Sequence, residues 1–119
     1  MEIIRRGTTE KLSRSVQFGT TLYLSGILPA DLTQDIETQA VSLLKEVELA
    51  LSQAGSSQRR LLFAQIFLKN RTDAAAFNRL WTQWLPAGCA PARICVEANM
   101  LNDAVLVEMC AVAAVESEF

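Results

Sequence analysis

The chain has 119 residues, half of them apolar and a fifth charged, with a net charge of −2 and no histidine. That balance describes one globular domain over residues 1–119 with a workable core, and it excludes both disorder and the strongly basic surface that grips nucleic acid. Without an imidazole, Ser-His-Asp and Cys-His systems are unavailable, so any catalysis falls to carboxylates, Arg, Lys, backbone groups or water.

Other classes fall away on the same grounds. No apolar run approaches the roughly 20 residues of a membrane helix, and Met-Glu-Ile-Ile-Arg-Arg at the start lacks the apolar segment of a signal peptide. Cys89, Cys95 and Cys110 are odd in number and show no paired close spacing. A cytoplasmic protein is expected, with no disulfide, no metal, no cofactor, and neither membrane nor nucleic acid as a partner.

In chain order, a short strand is expected near Glu2 to Arg6. Gln17 to Gly26 reads as one strand that breaks at Pro29. From Asp35 to Ala54, Ile36, Ala40, Leu43, Leu44, Val47, Leu51 and Ala54 recur at three- and four-residue steps, which predicts a helix capped by Gly55. Leu61 to Lys69 is an apolar run of strand length. Thr72 or Asp73 can then cap a second helix carrying Phe77, Leu80, Trp81 and Trp84, ended by Pro86 and Gly88.

The last third holds the chemistry. Ile94, Val96 and Ala98 are apolar at alternate positions, as are Val105, Val107, Met109, Ala111 and Ala113, on either side of Leu101-Asn102-Asp103-Ala104. This predicts a β-hairpin in which Met100 opposes Val105, 98 opposes 107, 96 opposes 109 and 94 opposes 111. Its second face would gather Arg93, Cys95, Glu97, Asn99, Glu108 and Cys110. Helices interleaved with strands argue for an α/β (α+β) fold, a single sheet with both helices on one face. The uncovered face would then associate with other copies or, on the simpler reading, lie in water.

Taken together, Ser25-Gly26 with Pro29, the helix end Ala54-Gly55-Ser56-Ser57, the Phe77-Asn78 pair, Pro91-Ala92-Arg93 through Cys95-Val96-Glu97, and Val107-Glu108 resemble the RidA/YjgF family of reactive-intermediate imine deaminases. The resemblance spans nearly the whole chain. It implies a chorismate-mutase-like fold, a homotrimer whose sheets form a central barrel, and sites in the clefts between subunits that hydrolyse 2-imino acids to 2-keto acids and ammonia. Carried over by position, it implies that Arg93 holds the substrate carboxylate, that backbone groups at Cys95 and near Gly26 orient imine and water, that Glu108 activates the water, and that Asn78 shapes the cleft. A guanidinium offers a carboxylate a planar fork, and a protonated C=N needs only a positioned water and a general base.

The chain departs from that pattern at Leu12, where a tyrosine is usual, at Ile27 in place of glutamine, at Ile94 in place of a small hydroxyl residue, and at Leu101-Asn102 in place of Leu-Pro. The resemblance thus implies a more apolar cleft wall in a divergent subgroup.

Other readings stand beside these. Arg93 could form a structural ion pair with Glu97 or Glu108. Glu97 is better placed as an interface residue than as a catalyst, Cys95 as a small buried residue whose backbone matters, and Trp81 and Trp84 as packing. A trimeric protein that binds a small carboxylate without turning it over would need Arg93 equally. In the hairpin register Glu97 opposes Glu108, so Arg93 and Glu108 lie roughly 13 Å apart within one chain. A compact site is then easier to build between subunits.

Overall fold

The structure, a computed structural model, describes residues 1–116. Six strands form one sheet: β1 (Ile3–Arg6), β2 (Ser15–Phe18), β3 (Thr21–Ile27), β4 (Leu61–Leu68), β5 (Ala92–Glu97) and β6 (Val107–Ala114), in the spatial order β1-β2-β3-β6-β4-β5. Two helices, α1 (Ile36–Gln53) and α2 (Ala74–Trp84), lie on one face. The α+β class and the one-sided helical layer are as the periodicity predicts.

α1 is specified at both ends. The Asp35 side chain accepts from the Thr38 N–H at 2.9 Å, satisfying one of the first-turn donors, and its carboxyl is held below the usual range chiefly by hydrogen bonding to Thr38. At the other end Gly55 takes φ +79°, its N–H reaches Ser52 C=O, and Ser56 N–H reaches Leu51 C=O. This is the Schellman arrangement, in which a left-handed glycine lets the chain turn back onto the last carbonyls. Leu43, Val47 and Leu51 of α1 and Phe77 and Trp81 of α2 bury against Leu22, Ile66, Val107 and Met109 of the sheet.

Two expectations about the strands are corrected. The segment read as one strand, Gln17 to Gly26, lies across two: β2 and β3 form a hairpin that turns at Gly19, whose φ is +64°. A glycine followed by Thr20-Thr21 allows a tight reversal that β-propensity alone does not reveal.

The larger correction concerns the last third. β5 and β6 do not pair as a hairpin, and none of the cross-strand pairs expected between them forms. β5 instead runs parallel to β4, with Ala64 beside Arg93 and Ile66 beside Cys95, while β6 lies between β3 and β4 and is antiparallel to both. The physical reason is that α2 serves as the crossover that parallel strands require. Residues 98–106 then carry the chain past β4 and bring β6 back on its far side. Val107, Met109, Ala111 and Ala113 are all buried, and a strand so apolar gains most from the middle of the sheet. β5 is left at an edge.

Candidate functional site

The register fixes which way each candidate side chain points. Paired residues share a face, and Ala64, Ile66 and Leu68 face the helices. Arg93, Cys95 and Glu97 therefore face the helices as well. Glu108 and Cys110 pair with Phe67 and Gln65 and face the open side. The expected single face holding Arg93, Cys95, Glu97, Glu108 and Cys110 is thus divided between the two sides of the sheet.

On the helical side, Arg93 sits at the sheet edge. Its Nη1 donates to Asn78 Oδ1 at 2.8 Å, and its guanidinium carbon lies 5.6 Å from the centre of the Trp81 ring. Asn78 is thus brought to Arg93. Among the described residues no carboxylate pairs with Arg93, so the structural ion pair with Glu97 or Glu108 is not formed. Glu97 is engaged elsewhere. It accepts from the Arg71 N–H at 2.8 Å and pairs with the Arg71 guanidinium at 3.8 Å, fixing the turn that leads into α2.

At Cys95 the backbone is the exposed part. Ala98 N–H donates to Leu68 C=O at 2.9 Å, so the even-numbered residues of β5 turn their backbone groups toward β4. The odd-numbered ones turn theirs to the free edge, which places the Cys95 N–H and C=O beside Arg93 and open to a ligand. The Cys95 thiol is pushed above its ordinary range by burial, a shift that Arg93 only partly opposes. A neutral thiol is a poor nucleophile.

On the open side, Glu108 lies over Gly26. β3 is irregular between Leu24 and Ile27, and a Cβ at Gly26 would collide with the Glu108 carboxylate. Glycine is needed here for space and not for its backbone angle. The Glu108 side chain has no hydrogen-bond or ion-pair partner among the described residues. Two concavities flank it, of about 220 and 330 Å³, sharing Met100 and Leu101; Gly26 and Leu28 complete one wall and Phe67 another. Cys110, next along the strand face, donates to Gln65 Oε1 at 3.1 Å, and burial together with Glu108 raises its thiol.

The apolar substitutions distribute differently from the expectation. Ile27 is in the core, 3% exposed, so it does not line the cleft. The bulge before it turns its side chain inward, and Leu28, Met100 and Leu101 provide the apolar wall instead. Leu12 and Ile94 are exposed.

A residue that pattern reading passes over organises the Glu108 side. Gln39, fully buried on α1, donates from Nε2 to Ala104 C=O at 2.9 Å and to Gln34 C=O at 3.2 Å, and its Oε1 accepts from Leu106 N–H at 2.9 Å. It ties both loops beside Glu108 to the helix. A glutamine at a position in phase with Ile36, Ala40 and Leu43 was the available clue, because a buried amide demands partners.

Within one chain the two halves stay apart. Arg93 is level with Ala64 and Ala111, whereas Glu108 lies three residues along and two strands across, which places the Cα atoms roughly 14 Å apart. Their side chains leave opposite faces.

A profile of the family described as Endoribonuclease L-PSP matches residues 4–115. The chain belongs to the RidA/YjgF family. The RutC family protein YoaB of Escherichia coli is 36% identical, over 97% of this chain and all of its own length. A YjgF-family protein of Neisseria meningitidis superposes with a TM-score of 0.94 at 32% identity, over 98% of each chain. A more distant relative, from Acinetobacter baylyi, is named 3-aminoacrylate deaminase RutC; it is 33% identical over 77% of each chain. Among the described residues no helix is long and apolar enough to cross a membrane, and no group of three metal-ligating side chains converges.

Proposed function

We propose that the protein hydrolyses small 2-imino or enamine acids to 2-keto acids and ammonia, in clefts where Arg93 of one subunit meets Glu108 of a neighbour in a homotrimer. The observation that carries this reading is the division of the site. An arginine held by neutral groups and a carboxylate with no partner leave opposite faces of one sheet, so neither neutralises the other in one chain. Tyr23, Phe18, Ile94 and Val96 are exposed large apolar residues on the uncovered face, which supports its burial against other copies. A relative named as a 3-aminoacrylate deaminase supports the reaction class.

In the proposed reaction Arg93 takes the substrate carboxylate in a two-point contact, and the Cys95 N–H at the strand edge orients it. The protonated C=N is attacked by a water from which Glu108 removes a proton. A C–O bond forms, and the C=N electron pair moves onto nitrogen. Glu108 then returns the proton to that nitrogen, the C–N bond breaks with loss of ammonia, and the carbinol O–H proton is released as the carbonyl forms. Atoms and charge balance with one water consumed. Leu28, Met100 and Leu101 beside Glu108 favour substrates with larger apolar side chains, a graded preference of about 1–3 kcal/mol.

A second reading has its own support: the carboxylate-holding half, Arg93 with Asn78 and the Cys95 backbone, is complete within one chain and would bind a small acid without turnover. Imines generated in situ by an amino-acid oxidase separate the two. Accelerated keto-acid formation, lost in both Arg93→Ala and Glu108→Ala, is the expected result. The two inactive proteins, unfolded and refolded together, should regain part of the activity through mixed trimers. No recovery despite proven subunit exchange would place both residues in one chain, and a stable monomer at micromolar concentration in sedimentation would remove the shared cleft altogether.

A further inference from the structure

We propose that Trp81 is a positioning residue for Arg93, a fixed aromatic platform that sets the plane of the guanidinium and thereby the direction from which a carboxylate is received. This rests on the reading of Arg93 as the receptor for the substrate carboxylate. An arginine on an exposed edge strand ordinarily samples several rotamers, and each hydrogen bond it forms must offset that lost freedom. Here two contacts restrict it. The guanidinium carbon lies 5.6 Å from the Trp81 ring centre, within the range of a cation–π attraction, and Nη1 donates to Asn78 Oδ1 at 2.8 Å. One contact sets the guanidinium carbon over the Trp81 ring and the other ties its Nη1 corner, so together they restrict its orientation. Both partners are neutral and leave the charge available. With Nη1 engaged by Asn78, the Nε and Nη2 edge remains as the parallel pair of N–H groups that a carboxylate can take bidentately.

The platform is itself immobilised. Trp81 is 6% exposed and stacks on Phe77 with ring centres 6.0 Å apart, and the tilted Trp84 ring lies 5.5 Å from it, centre to centre. Trp84 is tied to α1 by its indole N–H, which donates to Glu48 Oε1 at 2.7 Å. Arg93 thus inherits its orientation from the packed helical layer and not from the exposed edge of the sheet. Core packing alone would be served by any large apolar residue at position 81; only an aromatic face serves the guanidinium.

The test measures the orientation directly and the binding separately. In wild-type protein labelled with ¹⁵N, the Arg93 Nε–Hε resonance should be displaced by the Trp81 ring current and show restricted motion. In Trp81→Leu it should move to the position of a free arginine, and the Kd for 2-oxobutyrate should rise roughly three- to tenfold. Trp81→Phe should restore most of both. The same Trp81→Leu change made on Arg93→Ala should leave residual binding unaltered, which a merely structural role would not. Should Trp81→Leu fail to fold, the wild-type resonance still decides: an Arg93 signal already at the free-arginine position overturns the proposal, as does unchanged affinity in a folded Trp81→Leu protein. If Arg93 is oriented as expected but 2-oxobutyrate does not bind wild type, the orientation stands and the substrate reading falls.

Discussion

The two halves of the candidate site are held in different ways. Arg93 projects from an edge strand yet is oriented by α2 through Asn78 and Trp81, both on a helix whose inner face is packed in the core. Glu108 projects from the central strand β6, but the walls around it come from residues 98–106 and from the turn after β3. Glu108 thus stands on a central strand with walls made of loops, whereas Arg93 stands on an edge strand with contacts made by a helix. Substitutions in the supports of the two halves should therefore fail differently: loss of the loop anchor Gln39 through stability, and loss of the Arg93 contacts through binding with an intact fold.

The largest effect on stability is expected at Gln39. Gln39→Leu keeps the volume but leaves Leu106 N–H and the Ala104 and Gln34 carbonyls without their partner. Each buried group so abandoned costs about 1–3 kcal/mol, and partial access to water limits the sum to about 2–4 kcal/mol. Denaturant titration should show that loss, and catalytic rate should fall with it as residues 98–106 shift away from Glu108. Unchanged stability would mean that the Glu108 walls are held by something other than Gln39.

Arg93→Lys should do the opposite. The charge remains, but the planar fork, the bond to Asn78 and the contact with the Trp81 ring are lost. Affinity for a 2-keto acid should weaken by about 1.5–3 kcal/mol, the range for a charge-assisted hydrogen bond, with the unfolding midpoint little changed. Calorimetric titration with pyruvate or 2-oxobutyrate measures this, and equal affinity in both proteins would remove Arg93 from the site.

These contrasts bear on what was legible in the chain. The α1 boundaries were, because Asp35, the apolar steps from Ile36 to Leu51 and Gly55 all act locally. So was the inward face of β6, since alternation reports which side of a sheet a residue takes. Alternation does not report which strand lies beside it, and that is why residues 92–100 and 105–113 read as a hairpin when β6 in fact pairs with β3 and β4. The hairpin register placed Arg93 and Glu108 on one face; the parallel pairing of β5 with β4 places them on two. The site residues were nameable from the family's pattern, but their separation in space depends on non-local pairing. Gln39 escaped for a related reason, as its partners are 65 and 67 residues away.

Gly26→Ala gives a smaller and more local disturbance. The added methyl group meets the Glu108 carboxylate, the far end of a flexible side chain, so Glu108 yields and the backbone does not. Stability should change by less than about 1 kcal/mol, while imine hydrolysis should fall at least roughly tenfold, since small misplacements of a catalytic group are costly. Retained activity would show that Glu108 acts from another rotamer.

The smallest effect is expected at Cys95, and it separates a backbone role from a side-chain role. If the strand-edge N–H is what the substrate meets, Cys95→Ser retains it and activity should stay within about threefold of wild type. The pH dependence follows from the direction of the thiol shift. Burial raises the folded-state value above that of the unfolded chain, with Arg93 opposing, so the folded protein holds this proton more tightly. The associated stability is fully present below the unfolded thiol's range and is lost as pH rises through the folded one. Wild type should therefore lose slightly more stability than Cys95→Ser on the alkaline side, and the two should have superimposable rate profiles between about pH 6 and 8, where the thiol is protonated. A profile that changes shape in Cys95→Ser within that window would assign the thiol a part in the chemistry and overturn the reading that only its backbone is used.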